Sequence, residues 1–159
     1  MPVGEIMDDS EQNAWEATPV AVVLTIEEQA RQFYSARRLG RARQHYEKLV
    51  KMRPEVSQYW MMLGVIYRRQ NRLVKALTCL QRAVDLDSGS RSALVNLGDC
   101  LVLAGKLEEG VDILRAVFEM GFVDGKSAEE QDQMTKRAGA QLAMLREIAR
   151  SVRAQISGR

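Results

Sequence analysis

Residues 60–83 read WMMLGVIYRRQNRLVKALTCLQRA, and residues 94–117 read LVNLGDCLVLAGKLEEGVDILRAV. Set one above the other, the two stretches keep large apolar and small residues in the same columns at a spacing of 34. Leu63 falls on Leu97, Gly64 on Gly98, Leu73 on Leu107 and Leu80 on Leu114. One step upstream the same columns hold Ala30, Leu39, Ala42 and Tyr46, with Pro54 closing the unit. A fixed period of this length marks a stack of supersecondary units, because each unit leaves an oily face that only a neighbour covers.

The residue types fit helical hairpins. Counting from residues 23, 57 and 91, column 8 holds Ala30, Gly64 and Gly98, and column 20 holds Ala42, Ala76 and Gly110. Two helices that cross closely need small side chains at the crossing, with large ones packed around it. Columns 11 and 24 supply these as Phe33, Tyr67, Leu101 and Tyr46, Leu80, Leu114. This spacing resembles that of the tetratricopeptide repeat. The resemblance implies an all-α fold, a tetratricopeptide helical-hairpin solenoid of three repeats plus a C-terminal capping helix. The expected division is an acidic N-terminal extension at 1–22, partly disordered or dimerising, three repeats at 23–56, 57–90 and 91–124, and the cap at 125–159.

Helix boundaries are expected at two capping boxes, Thr25-Ile26-Glu27-Glu28 for the first helix and Ser127-Ala128-Glu129-Glu130 for the last. Gly121, Asp124 and Gly125 mark the expected break before the last helix. Its apolar stripe of Met134, Ala138, Leu142, Leu145, Ile148, Ala149, Val152 and Ile156 has helical spacing and is expected to cover the third repeat.

Composition narrows the function. The chain has 159 residues, 46% of them hydrophobic and 28% charged, with 3 prolines. That is one domain's length, enough to bury roughly 70% of the unfolded surface. No apolar run approaches the ~20 residues of a membrane span, and the acidic first segment does not read as a secretory signal. Membrane insertion is therefore not expected. Two cysteines and one histidine do not supply a usual zinc ligand set. Cys79 and Cys100 lie in apolar helical patterns and are expected as reduced thiols of a reducing cytoplasm. Neither a glycine-rich phosphate loop nor a nucleophile motif is present, so the reading is of a non-enzyme without a cofactor.

Charge is segregated: −7 over residues 1–30, +11 over 31–82, −7 over 83–132 and +5 over 133–159. The basic block reads first as the solvated surface of amphipathic helices. A face for an acidic protein segment, including this chain's own N-terminus, comes second. Nucleic acid comes last and is not expected, because no aromatic-interleaved basic stripe accompanies the charge.

In the tetratricopeptide superhelix, columns 2, 5, 9, 12 and 13 of each first helix line the concave face. Those columns assign a peptide-binding groove to Leu24, Arg31, Tyr34, Met61, Val65, Arg68, Arg69, Val95, Asp99, Val102 and Leu103. The Lys and Asn pattern of the carboxylate clamp for chaperone tails is missing from these positions. What remains is an apolar strip edged by charge, suited to a segment with spaced apolar anchors.

The stretch Asn96-Leu97-Gly98-Asp99-Cys100-Leu101 through Gly105-Lys106-Leu107-Glu108-Glu109-Gly110 further resembles the class II chaperones of bacterial type III secretion. The segment from Leu63-Gly64 to Arg72-Leu73-Val74-Lys75-Ala76-Leu77 aligns in the same register, and Tyr34 falls on a groove tyrosine of that family. The resemblance implies a cytoplasmic bacterial chaperone, a homodimer or a monomer when loaded. It would hold the extended N-terminal peptide of a hydrophobic secreted translocator protein in its groove before export. The alternative is a general tetratricopeptide scaffold that assembles a complex through folded partners.

Overall fold

Seven helices make up the regular structure of the described residues, 20–123 and 132–157, in the computed structural model. They are α1 Val20–Ser35, α2 Leu39–Met52, α3 Ser57–Arg69, α4 Leu73–Leu86, α5 Arg91–Leu103, α6 Leu107–Val123 and α7 Gln133–Ser157. Successive helices pack together, and α3 also touches α5 and α5 touches α7. First helices thus line one face of a stack of hairpins and second helices the other. The all-α tetratricopeptide hairpin solenoid expected from the sequence is the fold observed.

Each hairpin turns on three residues, and the middle one is left-handed in all three: Arg37 at φ 57°, Asn71 at 58° and Gly105 at 82°. The first helix of each pair closes in the same way. Arg38 N–H donates to Phe33 O, Arg72 to Tyr67 O and Lys106 to Leu101 O, at 2.8–2.9 Å. That six-residue closure with a left-handed residue before its end is a Schellman motif. Only glycine adopts the conformation without a Cβ penalty. Nothing lies within 4 Å of a Cβ added at Gly105, so Gly105→Ala isolates the backbone effect. Chemical denaturation is expected to show a loss of about 1 kcal/mol.

The small columns mark the helix crossings. Ala30, Ala42, Ala76 and Ala83 have no exposed surface. A Cβ on Gly64 would meet Leu80 Cγ at 2.6 Å, and one on Gly110 would meet the Gly98 carbonyl oxygen at 2.9 Å. The core around these crossings runs without a break from Val23 of α1 to Leu101 of α5. A second cluster joins α5, α6 and α7 through Val95, Leu114, Val117, Ala138 and Leu142.

Three boundary expectations are corrected. The first helix opens at Val20, ahead of the Thr25 capping box. Inside it the Thr25 hydroxyl donates to the Ala21 carbonyl at 2.8 Å instead of capping. The extra turn brings Val23 into the core at 6% exposure. Gly121 does not break the chain; it lies inside α6, where a Cβ would meet Thr135 Cγ2 at 2.3 Å. It is a crossing glycine between α6 and α7. The C-terminal stripe covers the third repeat only through Met134, Ala138, Leu142 and Leu145. Ile148, Val152 and Ile156 are exposed, since α7 at 25 residues outruns the 13-residue α5 it lies beside.

The capping box at Ser127–Glu130, with Asp124 and Gly125, lies outside the described residues. Among those described, Asp132 caps α7: its Oδ1 accepts from Met134 N–H at 2.8 Å and Thr135 N–H at 3.1 Å. Its Oδ2 accepts from the Thr135 hydroxyl and pairs with Arg91. Burial pushes this carboxyl up, but hydrogen bonds from Thr135, Arg91 and Met134 outweigh it and hold the pKa at about 2, below the ordinary 3.8. A lowered folded-state pKa stabilises above the ordinary value, and the contribution is lost as pH falls. Fraying of α7, read by hydrogen exchange, is therefore expected to begin below pH 3.8 and to be complete near pH 2. At neutral pH, Asp132→Ala is expected to cost about 1 kcal/mol.

Candidate binding groove

The face formed by α1, α3, α5 and α7 collects most of the residues assigned from the sequence, though in unequal roles. Met61 and Val65 of α3 are each 7% exposed and form floor rather than projecting anchors. Tyr34, half-buried on α1, lies under the Arg69 guanidinium of α3, 4.8 Å from ring centroid to Cζ. This cation–π contact joins the first two repeats. Arg31 is engaged on its own helix by Glu27 at 3.2 Å and Glu28 at 2.8 Å. Leu24 of α1 and Leu103 of α5 are exposed apolar side chains.

Val95 is a correction. With no exposed surface it belongs to the cluster that seats α7, beside Leu114, Val117, Ala138 and Leu142. A side chain in that position packs helices and does not meet a partner.

Asp99 is buried at 6% exposure and ties three helices together. Its Oδ2 accepts from Arg68 of α3 at 3.1 Å and also pairs with Arg137 of α7. Above this knot lies a cavity of about 370 Å³ lined by Arg68, Asp99, Val102, Leu103, Leu114, Gln141, Met144, Leu145 and Ile148. Four of the assigned groove residues therefore meet there, and the other wall belongs to α7.

None of Gln141, Met144, Leu145 and Ile148 was assigned to the groove; Leu145 and Ile148 were read only as part of the apolar stripe of the capping helix. A signal for three of them existed: counted from its own first residue, α7 puts Gln141, Met144 and Leu145 in columns 9, 12 and 13. Those are the columns of Asp99, Val102 and Leu103 in α5. The helix thus prolongs the concave face as the first helix of a fourth unit. The side on which a second helix would pack carries Lys136, Ala140, Ala143 and Glu147, all exposed and too small or too polar to recruit one.

Glu27 stands in groove column 5 but was not assigned to the binding residues. It accepts from the Tyr59 hydroxyl at 2.9 Å as well as pairing with Arg31, and so braces α1 against α3. Burial, then the Glu27 hydrogen bond, pushes Tyr59 up to about 12. Burial likewise raises the Cys79 thiol to about 11, and both cysteines are free and buried. Groups so raised are neutral and weak nucleophiles near neutral pH. Among the described residues no group of three His, Cys, Asp or Glu side chains could hold a metal ion, and no helix is long and apolar enough to cross a membrane. Of the basic block, Arg37, Arg38, Arg41, Lys48 and Lys51 are exposed on α2 and the turn before it.

A sequence model of the tetratricopeptide repeat matches residues 27–91 and 75–119. No curated protein matches the sequence. Solved structures share the fold. A type III secretion complex from Aeromonas hydrophila superposes with a TM-score of 0.75 at 14% identity, over 87% of this chain and 89% of the other. PcrH, in complex with the chaperone binding region of PopD, gives 0.73 at 14%, over 84% and 97%. The Yersinia enterocolitica type III secretion translocator chaperone SycD gives 0.71 at 14%, over 83% and 96%. Likeness at such identity establishes the fold, and the resemblance to translocator chaperones noted in the sequence is repeated at that level.

Proposed function

Since this chain belongs to the tetratricopeptide repeat family, we propose that it is a peptide-binding chaperone, without enzymatic activity, whose concave groove holds a hydrophobic segment of a type III secretion translocator before export. One observation carries the reading: the apolar cavity beside Arg68 and Asp99 is lined by residues in columns 9, 12 and 13 of α5 and α7, the columns through which tetratricopeptide first helices meet partners. Contiguous exposed apolar surface usually marks an interaction site. Support also comes from the solved structures, two of which are translocator chaperones or hold a chaperone binding region.

The mechanism is passive. Side chains of the client fill the groove, and each large apolar anchor buried contributes about 1.5–3 kcal/mol before ordering costs. A few anchors thus give micromolar to nanomolar holding, tight enough to prevent aggregation and weak enough to allow release. Neither a nucleotide nor a metal takes part. In this reading the protein works in the bacterial cytoplasm, and the unloaded chain pairs with a second copy.

Co-expression with a hydrophobic translocator tests the proposal. The client is expected in the soluble fraction as a stoichiometric complex, and Leu103→Glu together with Tyr34→Glu is expected to return it to the pellet. A client that stays insoluble beside the unmodified chain removes the reading. Capture restricted to folded partners that are soluble alone would instead identify a scaffold.

A further inference from the structure

The cavity between α5 and α7 has a chemistry that sorts its guests, and the inference rests on the proposed groove reading. Val102, Leu103, Leu114, Met144, Leu145 and Ile148 wall a space of about 370 Å³, within the range of small ligand pockets. The floor is charged. Arg68 and Arg137 both address Oδ2 of Asp99, so two cations share one anion, and this knot, which meets the cavity through Arg68 and Asp99, keeps a net positive charge beside the apolar well. A guanidinium has five N–H donors, and the bond from Arg68 to Asp99 uses one of its terminal nitrogens. Donors remain for a second acid. Nearby, Gln141 Oε1 is buried without a hydrogen-bond donor, and an acceptor in that state carries an uncompensated desolvation penalty.

These features complement one another around a single kind of guest. We propose that the pocket receives one large aliphatic side chain of the bound segment, that Gln141 accepts a backbone N–H beside that anchor, and that Arg68 and Arg137 select an acidic residue next to it. The walls exclude water and strengthen the charge selection. A basic residue in the same place would bring a third cation to two guanidiniums, the like-charge arrangement that rejects wrong partners. Ile148, Val152 and Ile156 recur every four residues on the exposed part of α7, where residues four apart share a face. They extend the apolar wall for the flanking part of the segment.

Two capped hexapeptides serve as probes, one with a leucine followed by an aspartate between glycine and serine, the other with lysine replacing the aspartate. Each is titrated into the full chain carrying 13C-methyl methionine. The acidic probe is expected to shift the Met144 methyl signal, and the basic probe to bind about tenfold more weakly. Arg68→Gln should bring that ratio close to one while the anchor still binds. Met144 is 65% exposed, so Met144→Glu leaves the fold intact and should abolish binding of both probes. Equal affinity for the two peptides, or a Met144 signal that does not move, overturns the proposal. Translocator capture that is lost with Tyr34→Glu and Leu103→Glu but unaffected by Met144→Glu also overturns it and leaves the groove reading standing. Capture indifferent to all three variants removes the groove reading itself.

Discussion

Gly98→Leu is expected to lower the stability of the chain by about 3 kcal/mol, the upper end of what over-packing costs. A Cβ at this position would sit 2.9 Å from Leu114 Cγ, 3.1 Å from Leu114 Cδ2 and 3.3 Å from the Gly110 carbonyl oxygen. Leu114 is 1% exposed, held in the cluster that seats α7, and the carbonyl is part of the α6 backbone, which cannot give way as a side chain can. The hairpin of α5 and α6 must therefore open, and α7 loses the surface on which Val95, Leu114 and Val117 hold it. Stacked repeats fail locally. Hydrogen exchange should accordingly show protection lost from α5 to α7 and kept in α1 to α4. Gly40, whose added Cβ meets nothing within 4 Å, supplies the control, because Gly40→Ala should leave the denaturation midpoint where it is or raise it slightly. An unchanged midpoint for Gly98→Leu would falsify the role assigned to the crossing.

The second large effect is expected from Asp99→Ala, a loss of about 2–3 kcal/mol. Removing one member of a buried ion cluster leaves its partners without compensation, which is the costly way to break it. Asp99 is nearly sealed, whereas the side chains of Arg68 and Arg137 are 20% and 35% exposed. Water recovers part of the loss, and the expected figure lies below that of a fully buried pair. Replacing all three residues with apolar ones (Asp99→Leu, Arg68→Met and Arg137→Met) should recover most of the stability, since the desolvation penalty disappears with the charges. The triple variant separates electrostatic from packing contributions. A triple variant as unstable as Asp99→Ala would show that the knot holds α7 by shape rather than by charge.

How far the groove could be read depended on the range of the forces involved. The hairpin columns were legible because a crossing is a local matter. Gly64 against Leu80 and Gly110 against the Gly98 carbonyl impose the same steric demand in each unit, and the demand recurs with the period. That register puts Arg68, Asp99 and Leu103 in columns whose side chains the structure brings together at one cavity, and Tyr34 in a column that meets Arg69. Thr25 misled, because a capping signature describes only four residues and does not register that Val23 gains by burial when the helix continues upstream.

The α7 wall was illegible for a different reason. The strict period would begin a fourth unit at residue 125, but α6 runs 17 residues where α2 and α4 run 14, and α7 opens at Gln133. The offset hides columns that are otherwise in order. Val95 shows the converse: its column was read correctly, but a column does not say that the next helix covers it.

By itself the sequence determined that helices form, where they pair, and which residues must be small at each crossing, because periodic burial and backbone sterics act over a turn or two and repeat. Only the tertiary structure decided that Asp99 binds two arginines from helices on either side of it, that Val95 is sealed, and that α7 supplies half of the pocket. Those outcomes depend on where a helix lies when it leaves the period, and that position is set by the packing of Gly121 on Thr135 and Gly139 on Phe118, contacts between helices that no one-dimensional spacing encodes.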